Sequence, residues 1–276
     1  MGLLDGKVAF ISGAARGQGR AHAVGLAEQG CDIIAFDIAG GFDTTVYPPA
    51  TREDLAETVR LVEAHDRRIV ARVADVRDEA QVAGVLAEGV AALGRVDFVL
   101  ANAGIMPTLG RPGQGSQAWH DAIDTMLTGV VHTVEPAIPH LIEQGEGGAI
   151  VITSSAAGLK GPGRTAPGRN RGALGYVAAK HGVVGLMRAY AQCLAPYDVR
   201  VNTLHPCGVD TPMCNNEPFN AALAEHPEAW EGLTPLMDVW TIDPAVVTAS
   251  VLYLVGPAGR YVTGVTLPVD GGLAIR

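Results

Sequence analysis

The chain has 276 residues, 48% of them hydrophobic, and carries 20 Lys and Arg residues against 29 Asp and Glu residues, a formal charge of -9. This length can bury one large α/β core, and we expect a single domain, because no linker-like composition divides the chain. No segment is strongly basic, which argues against phosphate-neutralising contacts and therefore against nucleic acid as a partner.

The first residues and the cysteines bear on location and metal binding. The opening sequence MGLLDGKVAFISG contains Asp5 and Lys7 and no apolar run long enough for a signal peptide or a membrane span. We therefore expect a cytoplasmic protein with no membrane partner. The four cysteines form no CxxC pair and show no ligand-like spacing with the eight histidines, so neither a disulfide framework nor a metal site is predicted.

Seven short apolar segments, most of them rich in β-branched residues, predict strands buried on both faces. They are Val8–Ser12, Asp32–Asp37, Ile69–Ala74, Val96–Ala101, Ala149–Thr153, Arg200–Leu204 and Val265–Val269. Segments of helical periodicity lie between them, near 18–30, 52–65, 78–93, 117–143, 173–195 and 243–255. This alternation predicts the α/β class, with a doubly wound parallel sheet of about seven strands and helices on both faces.

Three segments interrupt the alternation. Residues 38–50, called the insertion loop below, and residues 156–174 are rich in Gly, Pro and small polar residues, so both are predicted to be loops. The helix after the insertion loop can begin at Thr51, with an acidic residue supporting its first turn. Residues 206–242 are expected to arch over a pocket as a substrate lid.

A glycine-rich loop follows the first strand. The sequence SGAARGQG places Gly13, Gly17 and Gly19 just before a helix. Glycine lets the backbone approach a pyrophosphate, whose charge the amide groups and the positive helix end then stabilise. By itself such a triplet is weak evidence, because turn-forming glycines are common in α/β proteins.

An acid ends the second strand and favours one nucleotide over another. Asp37 lies eighteen residues beyond Gly19, where a carboxylate can accept hydrogen bonds from both ribose hydroxyls of an adenosine and repels a 2′-phosphate. With the glycine loop, this position predicts NAD in a Rossmann-type site, although an exposed acid at a strand end is the alternative. Arg16 is the opposing signal, because it either binds a 2′-phosphate and favours NADP or turns to solvent.

Tyr176 and Lys180, in the sequence GYVAAKH, are one helical turn apart. They share a helix face, and an ammonium near a phenol favours the phenolate, so the pKa of Tyr176 is expected to fall toward working pH. Such a phenol can exchange a proton with an alcohol or a carbonyl. Taken alone, the pair is also what chance places on many exposed helices.

Eight ordered motifs together carry a family resemblance. They are SGAARGQG, Asp37, ADV at 74–76, ANAG at 101–104, TSSAAG at 153–158, YVAAK at 176–180, VRVNTLHPCGVDTPM at 199–213 and VTGVTLPVDGG at 262–272. In this order they resemble the short-chain dehydrogenase/reductase family, and they span essentially the whole chain. The sequences RRIVARVADVRD, HGVVGLMR, YPPAT and HPCGVDTPM are similar to its mycofactocin-coupled, carveol-dehydrogenase-like subgroup. That resemblance implies that the insertion loop covers a tightly held NAD, which an external redox carrier, mycofactocin, reoxidises.

The family resemblance also implies roles for individual residues. Tyr176 would be the general acid/base, Lys180 would lower its pKa and bind the nicotinamide ribose, and Ser155 would hydrogen-bond the substrate oxygen. Asp75 would meet the adenine. The full implied cofactor set is Gly13, Arg16, Gly17, Gln18, Gly19, Asp37, Ile38, Asp75, Val76, Asn102, Ala103, Gly104, Tyr176, Lys180, Pro206, Gly208, Val209 and Thr211.

The chain departs from the family pattern in two places. Met126 stands where the family has an asparagine that supports a water relay to the lysine, and a thioether is only a weak acceptor. Simple core packing is the alternative for Met126. The Ser155–Tyr176 spacing is twenty-one residues where about thirteen is usual, so roughly eight extra residues enlarge the loop near 159–174, an insertion that closure entropy tolerates. The arginines of that loop, Arg164, Arg169 and Arg171, either contact a partner or acidic substrate or are simply solvated.

These features predict an NAD-dependent alcohol dehydrogenase or ketone reductase acting on a secondary alcohol and its ketone. Apolar residues of the lid favour a lipophilic, terpenoid-like substrate: Met213, Phe219, Trp230, Leu233, Leu236, Met237 and Trp240. The alternatives are an NAD-binding regulatory or scaffold protein that has lost catalysis and, less economically, a methyltransferase. The resemblance also implies a homotetramer formed through helices 117–143 and 173–195, and the apolar residues of the second helix fit such burial.

Overall fold

Seven parallel strands form a single sheet in the computed structural model, which describes residues 2–161, 170–225 and 231–276. The strands are β1 Val8–Ser12, β2 Asp32–Asp37, β3 Ile69–Val73, β4 Phe98–Ala101, β5 Gly148–Thr153, β6 Val199–Pro206 and β7 Thr266–Val269. Their order is β3-β2-β1-β4-β5-β6-β7, and all six pairings are parallel. The predicted doubly wound sheet is therefore confirmed.

Helices cover both faces of this sheet. They are α1 Gly17–Glu28, α2 Arg52–Glu63, α3 Glu79–Leu93, α4 Ser116–Ile123, α5 Gly129–Val134, α6 Ile138–Gln144, α7 Arg171–Leu194, α8 Glu217–Glu225 and α9 Pro244–Val255. Among the described residues, no helix is long and apolar enough to span a membrane.

The core has two halves, one on each side of the sheet. Phe10 of β1 packs on one side with residues such as Ile150 and Met187, while its neighbour Ile11 packs on the other side with Leu26 and Val251. Successive side chains of a strand point to opposite faces, so a strand buried on both sides is apolar at nearly every position. This explains why the strands were readable from the sequence without polar alternation.

Helix α2 begins where the sequence predicted. The Thr51 side chain accepts a hydrogen bond from the Asp54 backbone amide at 3.1 Å, and the Asp54 carboxylate accepts one from the Thr51 amide at 2.9 Å. This reciprocal capping box satisfies two amides at the helix start. It also fixes the point at which the insertion loop ends.

The stretch predicted as one helix over 117–143 is helical but interrupted. A π-helical turn, Asp124–Thr128, separates α4 from α5, and a 3₁₀ turn, Glu135–Ala137, separates α5 from α6. The second interruption contains Pro136, which has no amide hydrogen to continue the α-helical pattern.

Two predicted loops are shorter than expected. Helix α7 starts at Arg171, where Asn170 caps it by accepting from the Ala173 amide at 2.9 Å, so the loop predicted over 156–174 ends earlier. Helix α8 and a 3₁₀ turn, Glu231–Leu233, lie inside residues 206–242, the segment predicted as a substrate lid. Arg164, Arg169 and Trp230 fall outside the described residues, so the expectations attached to them stay predictions.

Candidate active site

A cleft opens at the carboxyl ends of the strands, beside the point where strand order reverses between β1 and β4, the usual ligand site of such sheets. The glycine loop, the insertion loop, the segments after β4 and β5, helix α7 and the segment after β6 all contribute to it. Most predicted site residues line it: Gly13, Arg16, Gly17, Gln18, Gly19, Asp37, Ile38, Asn102, Ala103, Gly104, Ser155, Tyr176, Lys180, Pro206, Val209 and Thr211.

The glycine loop is a cradle that side chains would fill. Gly13 has φ of +69°, and a Cβ there would lie 2.8 Å from the Ala103 Cα. A Cβ on Gly19 would lie 2.0 Å from the Gly13 carbonyl oxygen. The backbone therefore stays close to the start of α1, where amide groups can approach a phosphate. The side-chain oxygen Oε1 of Gln18, which also lines the cleft, is buried and has no hydrogen-bond partner among the described residues.

Asp37 connects the end of β2 to the glycine loop. Its carboxylate accepts hydrogen bonds from the Ala15 amide at 3.0 Å and from the Ala39 amide at 2.9 Å, and the residue is 8% exposed. An ionised carboxylate can accept about four hydrogen bonds, so capacity remains for hydroxyl donors in the cleft. The position fits a ribose and disfavours a phosphate in the same place.

Arg16 reaches the insertion loop. Its guanidinium donates to the Pro49 carbonyl at 3.1 Å and to the Pro48 carbonyl at 2.5 Å. The guanidinium therefore holds the insertion loop against the glycine loop. The Arg16 guanidinium therefore differs from both predicted orientations, one toward a 2′-phosphate and the other toward solvent.

The insertion loop has two further anchors. The Thr44 hydroxyl donates to the buried Asp121 carboxylate at 2.6 Å, and the Tyr47 hydroxyl accepts from the Met106 amide at 3.1 Å. In addition, the guanidinium of Arg77 lies 4.5 Å from the centre of the Phe42 ring. The loop is thus attached to the segments after β1, β3 and β4 and to helix α4.

The predicted catalytic residues meet in this cleft. Tyr176 and Lys180 lie on α7, and both border the cleft together with Ser155. The Lys180 ammonium donates to the Thr153 carbonyl at 2.7 Å and is almost fully buried. Within the described part of the chain this is its single hydrogen bond, so two protons remain for a ligand.

The electrostatics of this pair differ from the expectation. Burial raises the pKa of Tyr176 to about 12, against a lowering effect of the Ser155 side chain, and burial lowers the pKa of Lys180 to about 8. The predicted lowering of the Tyr176 pKa by the ammonium is therefore wrong for the protein alone. Desolvation penalises both charged forms, and the ammonium is directed to a carbonyl and the ring face, not to the hydroxyl.

A buried histidine hydrogen-bonds the backbone of the predicted catalytic serine. His205 on β6 hydrogen-bonds the Ser155 carbonyl through Nδ1 and the Thr203 hydroxyl through Nε2, each at 2.8 Å. A carbonyl can only accept, so Nδ1 carries the proton. Burial is the leading cause of the lowered pKa of His205, and it favours the neutral ring. His205 therefore fixes the Ser155 backbone and does not border the cleft.

Met126 lies beside the lysine. It is 1% exposed, sits in the π-helical turn and packs with Ile105, Ala122 and Ala179. Its Sδ and the Lys180 Nζ both border Gly104, where an added Cβ would lie 3.6 Å and 3.7 Å from them. The residue that departs from the family pattern therefore occupies an apolar position next to the ammonium.

Three predicted cofactor residues do not border the cleft. The Asp75 carboxylate binds the Arg77 guanidinium at 2.5 Å, and Val76 is buried with its carbonyl accepting from His132 at 3.0 Å. Gly208 packs against the backbone at Trp240. The adenine contact implied for Asp75 remains a prediction.

Several cleft residues were not singled out from the sequence. They are Gly40, Gly41, Phe42, Thr45, Tyr47, Pro49, Ala50, Ile105, Met106, Thr153, Ser154, Cys207, Pro212 and Cys214. Met213, one of the apolar residues predicted for the lid, also borders the cleft. The available signals were Phe42 and Tyr47, the two aromatic residues of the insertion loop.

Comparison with known proteins agrees with this geometry. A family model described as enoyl-(acyl carrier protein) reductase matches residues 13–274. An uncharacterised oxidoreductase of Mycobacterium tuberculosis is 54% identical over 98% of this chain and 96% of its own length, and (-)-trans-carveol dehydrogenase of Rhodococcus erythropolis is 42% identical over the whole of both chains. The crystal structure of carveol dehydrogenase from Mycobacterium avium in complex with NAD is 44% identical, covers both chains fully and superposes with a TM-score of 0.91.

The chain therefore belongs to the short-chain dehydrogenase/reductase family and is an oxidoreductase of that type. Within that family it is similar to carveol dehydrogenases, as the motifs predicted.

Proposed function

We propose that this protein is an NAD-dependent alcohol dehydrogenase or ketone reductase that interconverts a lipophilic secondary alcohol and its ketone. The observation that carries the proposal is the convergence of Ser155, Tyr176 and Lys180 on the cleft that the glycine loop and Asp37 also border. A protein that only binds a nucleotide has no use for a phenol paired with a serine and a lysine.

NAD fits the residues present. The glycine cradle leaves room for a pyrophosphate, Asp37 has free acceptor capacity for ribose hydroxyls, and Gln18 offers an unpartnered buried oxygen. Arg16 is bound to the insertion loop, which removes the one cation of the glycine loop from a 2′-phosphate. The mycobacterial carveol dehydrogenase structure with NAD supports the same choice.

In this mechanism NAD supplies the acceptor or the donor of the hydride. Ser155 holds the reacting oxygen, and Tyr176 gives it a proton in ketone reduction or takes its proton in alcohol oxidation. Burial favours the neutral phenol, the form that donates. Alcohol oxidation needs the phenolate form of Tyr176. The positive charge of Lys180 stabilises that phenolate when the ammonium is closer to the Tyr176 oxygen. Lys180 also holds the nicotinamide ribose with its two free protons.

In this mechanism the insertion loop keeps NAD bound in the cleft. Three hydrogen-bonded anchors, through Arg16, Thr44 and Tyr47, hold this loop along the cleft. We infer a tightly held NAD that an external carrier of the mycofactocin type reoxidises. Mass spectrometry of the small molecules released on denaturation tests whether the protein retains NAD.

We also infer a homotetramer formed through α4 to α6 and α7. Sedimentation tests this oligomeric state.

The competing function is a regulatory NAD-binding protein without catalysis, which Met126 favours because it replaces the relay asparagine. A single-turnover test separates the two. Protein loaded with NAD is mixed with a panel of secondary alcohols, including carveol, and NADH absorbance is followed. One equivalent of NADH supports the dehydrogenase, and its absence across the panel supports the regulatory protein.

A further inference from the structure

Tyr47 of the insertion loop presents an uncommitted hydroxyl proton to the cleft. The side chain is 9% exposed and lines the cleft together with Tyr176. Its oxygen accepts a hydrogen bond from the Met106 amide at 3.1 Å, so its own proton still needs an acceptor. Among residues 2–161, 170–225 and 231–276, none accepts a hydrogen bond from the Tyr47 hydroxyl.

Apolar side chains share the cleft with this hydroxyl. Phe42, Ile105, Met106 and Met213 line the same cleft. Burial, ahead of smaller contributions that include the neighbouring phenol of Tyr176, raises the pKa of Tyr47 to about 12, so the hydroxyl keeps its proton at neutral pH. A buried donor without an acceptor costs free energy, and that cost is recovered when a ligand supplies an oxygen.

The reacting oxygen of the substrate is not that acceptor. A carbonyl oxygen has two lone pairs, and the proposed mechanism uses both, one for Ser155 and one for Tyr176. The cofactor-facing groups are a separate set, formed by the glycine loop, Asp37 and Lys180. An oxygen elsewhere on the substrate is left as the partner of the Tyr47 proton.

We propose that Tyr47 donates a hydrogen bond to a second oxygen of the substrate, so that the preferred substrates are alcohols or ketones carrying a further hydroxyl, ether or carbonyl group. This inference rests on the proposed dehydrogenase function. It makes Tyr47 a specificity-determining residue contributed by the insertion loop. The anchors at Arg16 and Thr44 hold the phenol in place on both sides, which lowers the entropy cost of forming this bond.

The test compares two ketones of the same ring, cyclohexanone and cyclohexane-1,4-dione. Protein loaded with NADH is mixed with each ketone, and the loss of NADH absorbance in a single turnover gives the half-saturating concentration. In Tyr47→Phe we expect the preference for the dione to fall about tenfold, the size of one neutral hydrogen bond. Tyr190→Phe is the matched control, because it removes the same hydroxyl from a tyrosine that bonds Glu135 away from the cleft, and its preference should stay within about twofold of the wild type.

An unchanged preference in Tyr47→Phe overturns the inference, and so does an equal fall in Tyr190→Phe. Failure of Tyr47→Phe to bind NADH also overturns it, because the hydroxyl would then serve the cofactor. If the wild type oxidises NADH with neither ketone, the proposed function fails for these compounds. The role of Tyr47 is then tested by ketone binding alone. In that case the dione should raise the unfolding temperature of the wild type more than cyclohexanone does, and this difference should vanish in Tyr47→Phe. Equal shifts in the two proteins would overturn it.

Discussion

The ammonium of Lys180 lies 5.8 Å from the centre of the Tyr176 ring. The same ammonium donates a hydrogen bond to the Thr153 carbonyl, so β5 determines its direction. A sequence pattern places the two residues on one helix face, whereas the fold decides where the charge points. Burial keeps the phenol protonated, and the direction of the ammonium leaves two of its protons available to a ligand.

The buried lysine should make stability depend on pH. Its pKa falls from an ordinary 10.5 to about 8 in the folded protein, so between these pH values the unfolded chain holds a proton that the folded chain has released. Stability then rises with pH across this window, by an amount on the order of 3 kcal/mol for this group. Lys180→Met keeps a similar volume and removes the titration.

The measurement is the free energy of unfolding by urea, for the wild type and Lys180→Met, at several pH values from about 7.5 to 10.5. The advantage of Lys180→Met should be largest below pH 8 and should shrink as the pH rises. A difference between the two proteins that is independent of pH would show that the lysine is not desolvated as described.

Asp37 should control both affinity for NAD and discrimination against NADP. Asp37→Ala removes the acceptor for the Ala15 and Ala39 amides and the carboxylate that repels a 2′-phosphate. We expect NAD affinity to fall by about tenfold or more and the NAD-to-NADP ratio to approach one. Fluorescence titration with NADH and NADPH measures both.

Asp32→Ala is the matched control, because Asp32 begins the same strand and pairs with Arg68 away from the cleft. It should retain the cofactor preference of the wild type. Equal loss of preference in both variants would assign the effect to strand β2 and not to the carboxylate at its end.

Arg16 should slow the release of NAD. Arg16→Ala removes both hydrogen bonds to the Pro48 and Pro49 carbonyls, so the insertion loop loses one of its three hydrogen-bonded anchors. We expect dissociation of NADH to accelerate about three- to tenfold, measured by displacement with excess NAD in stopped flow. The exposed Arg52, just after the loop, gives the control Arg52→Ala, whose release rate should match the wild type. A rate unchanged in Arg16→Ala would mean that the loop does not retain the cofactor through this contact.

The sequence predicted what depends on local pattern. Strands buried on both faces are apolar throughout, as Phe10 and Ile11 illustrate, and the Thr51 capping box is a short-range signal, so these elements were placed within a few residues. The contacts of the insertion loop were not predictable in the same way. Arg16 and Tyr47 bond to backbone groups, and a backbone amide or carbonyl carries no residue-type signature.

The electrostatic prediction failed for a related reason. Helical spacing brings Tyr176 and Lys180 together, but it contains no information on desolvation, which dominates both pKa values in the fold. The helix break at Met126 was equally hidden, because a π-helical turn has no short sequence signal. Sequence therefore identified the participants, while their protonation states required the three-dimensional arrangement.

The central claim is that the Tyr176 hydroxyl transfers the proton in an NAD-linked reaction. The most direct measurement is a single-turnover absorbance trace of Tyr176→Phe loaded with NAD, mixed with an alcohol that the wild type oxidises. Tyr190→Phe is the control, since Tyr190 lies on the same helix and bonds Glu135 away from the cleft. We predict that Tyr176→Phe retains NAD and forms no NADH, while Tyr190→Phe behaves as the wild type; NADH formed by Tyr176→Phe at the wild-type rate would contradict the mechanism.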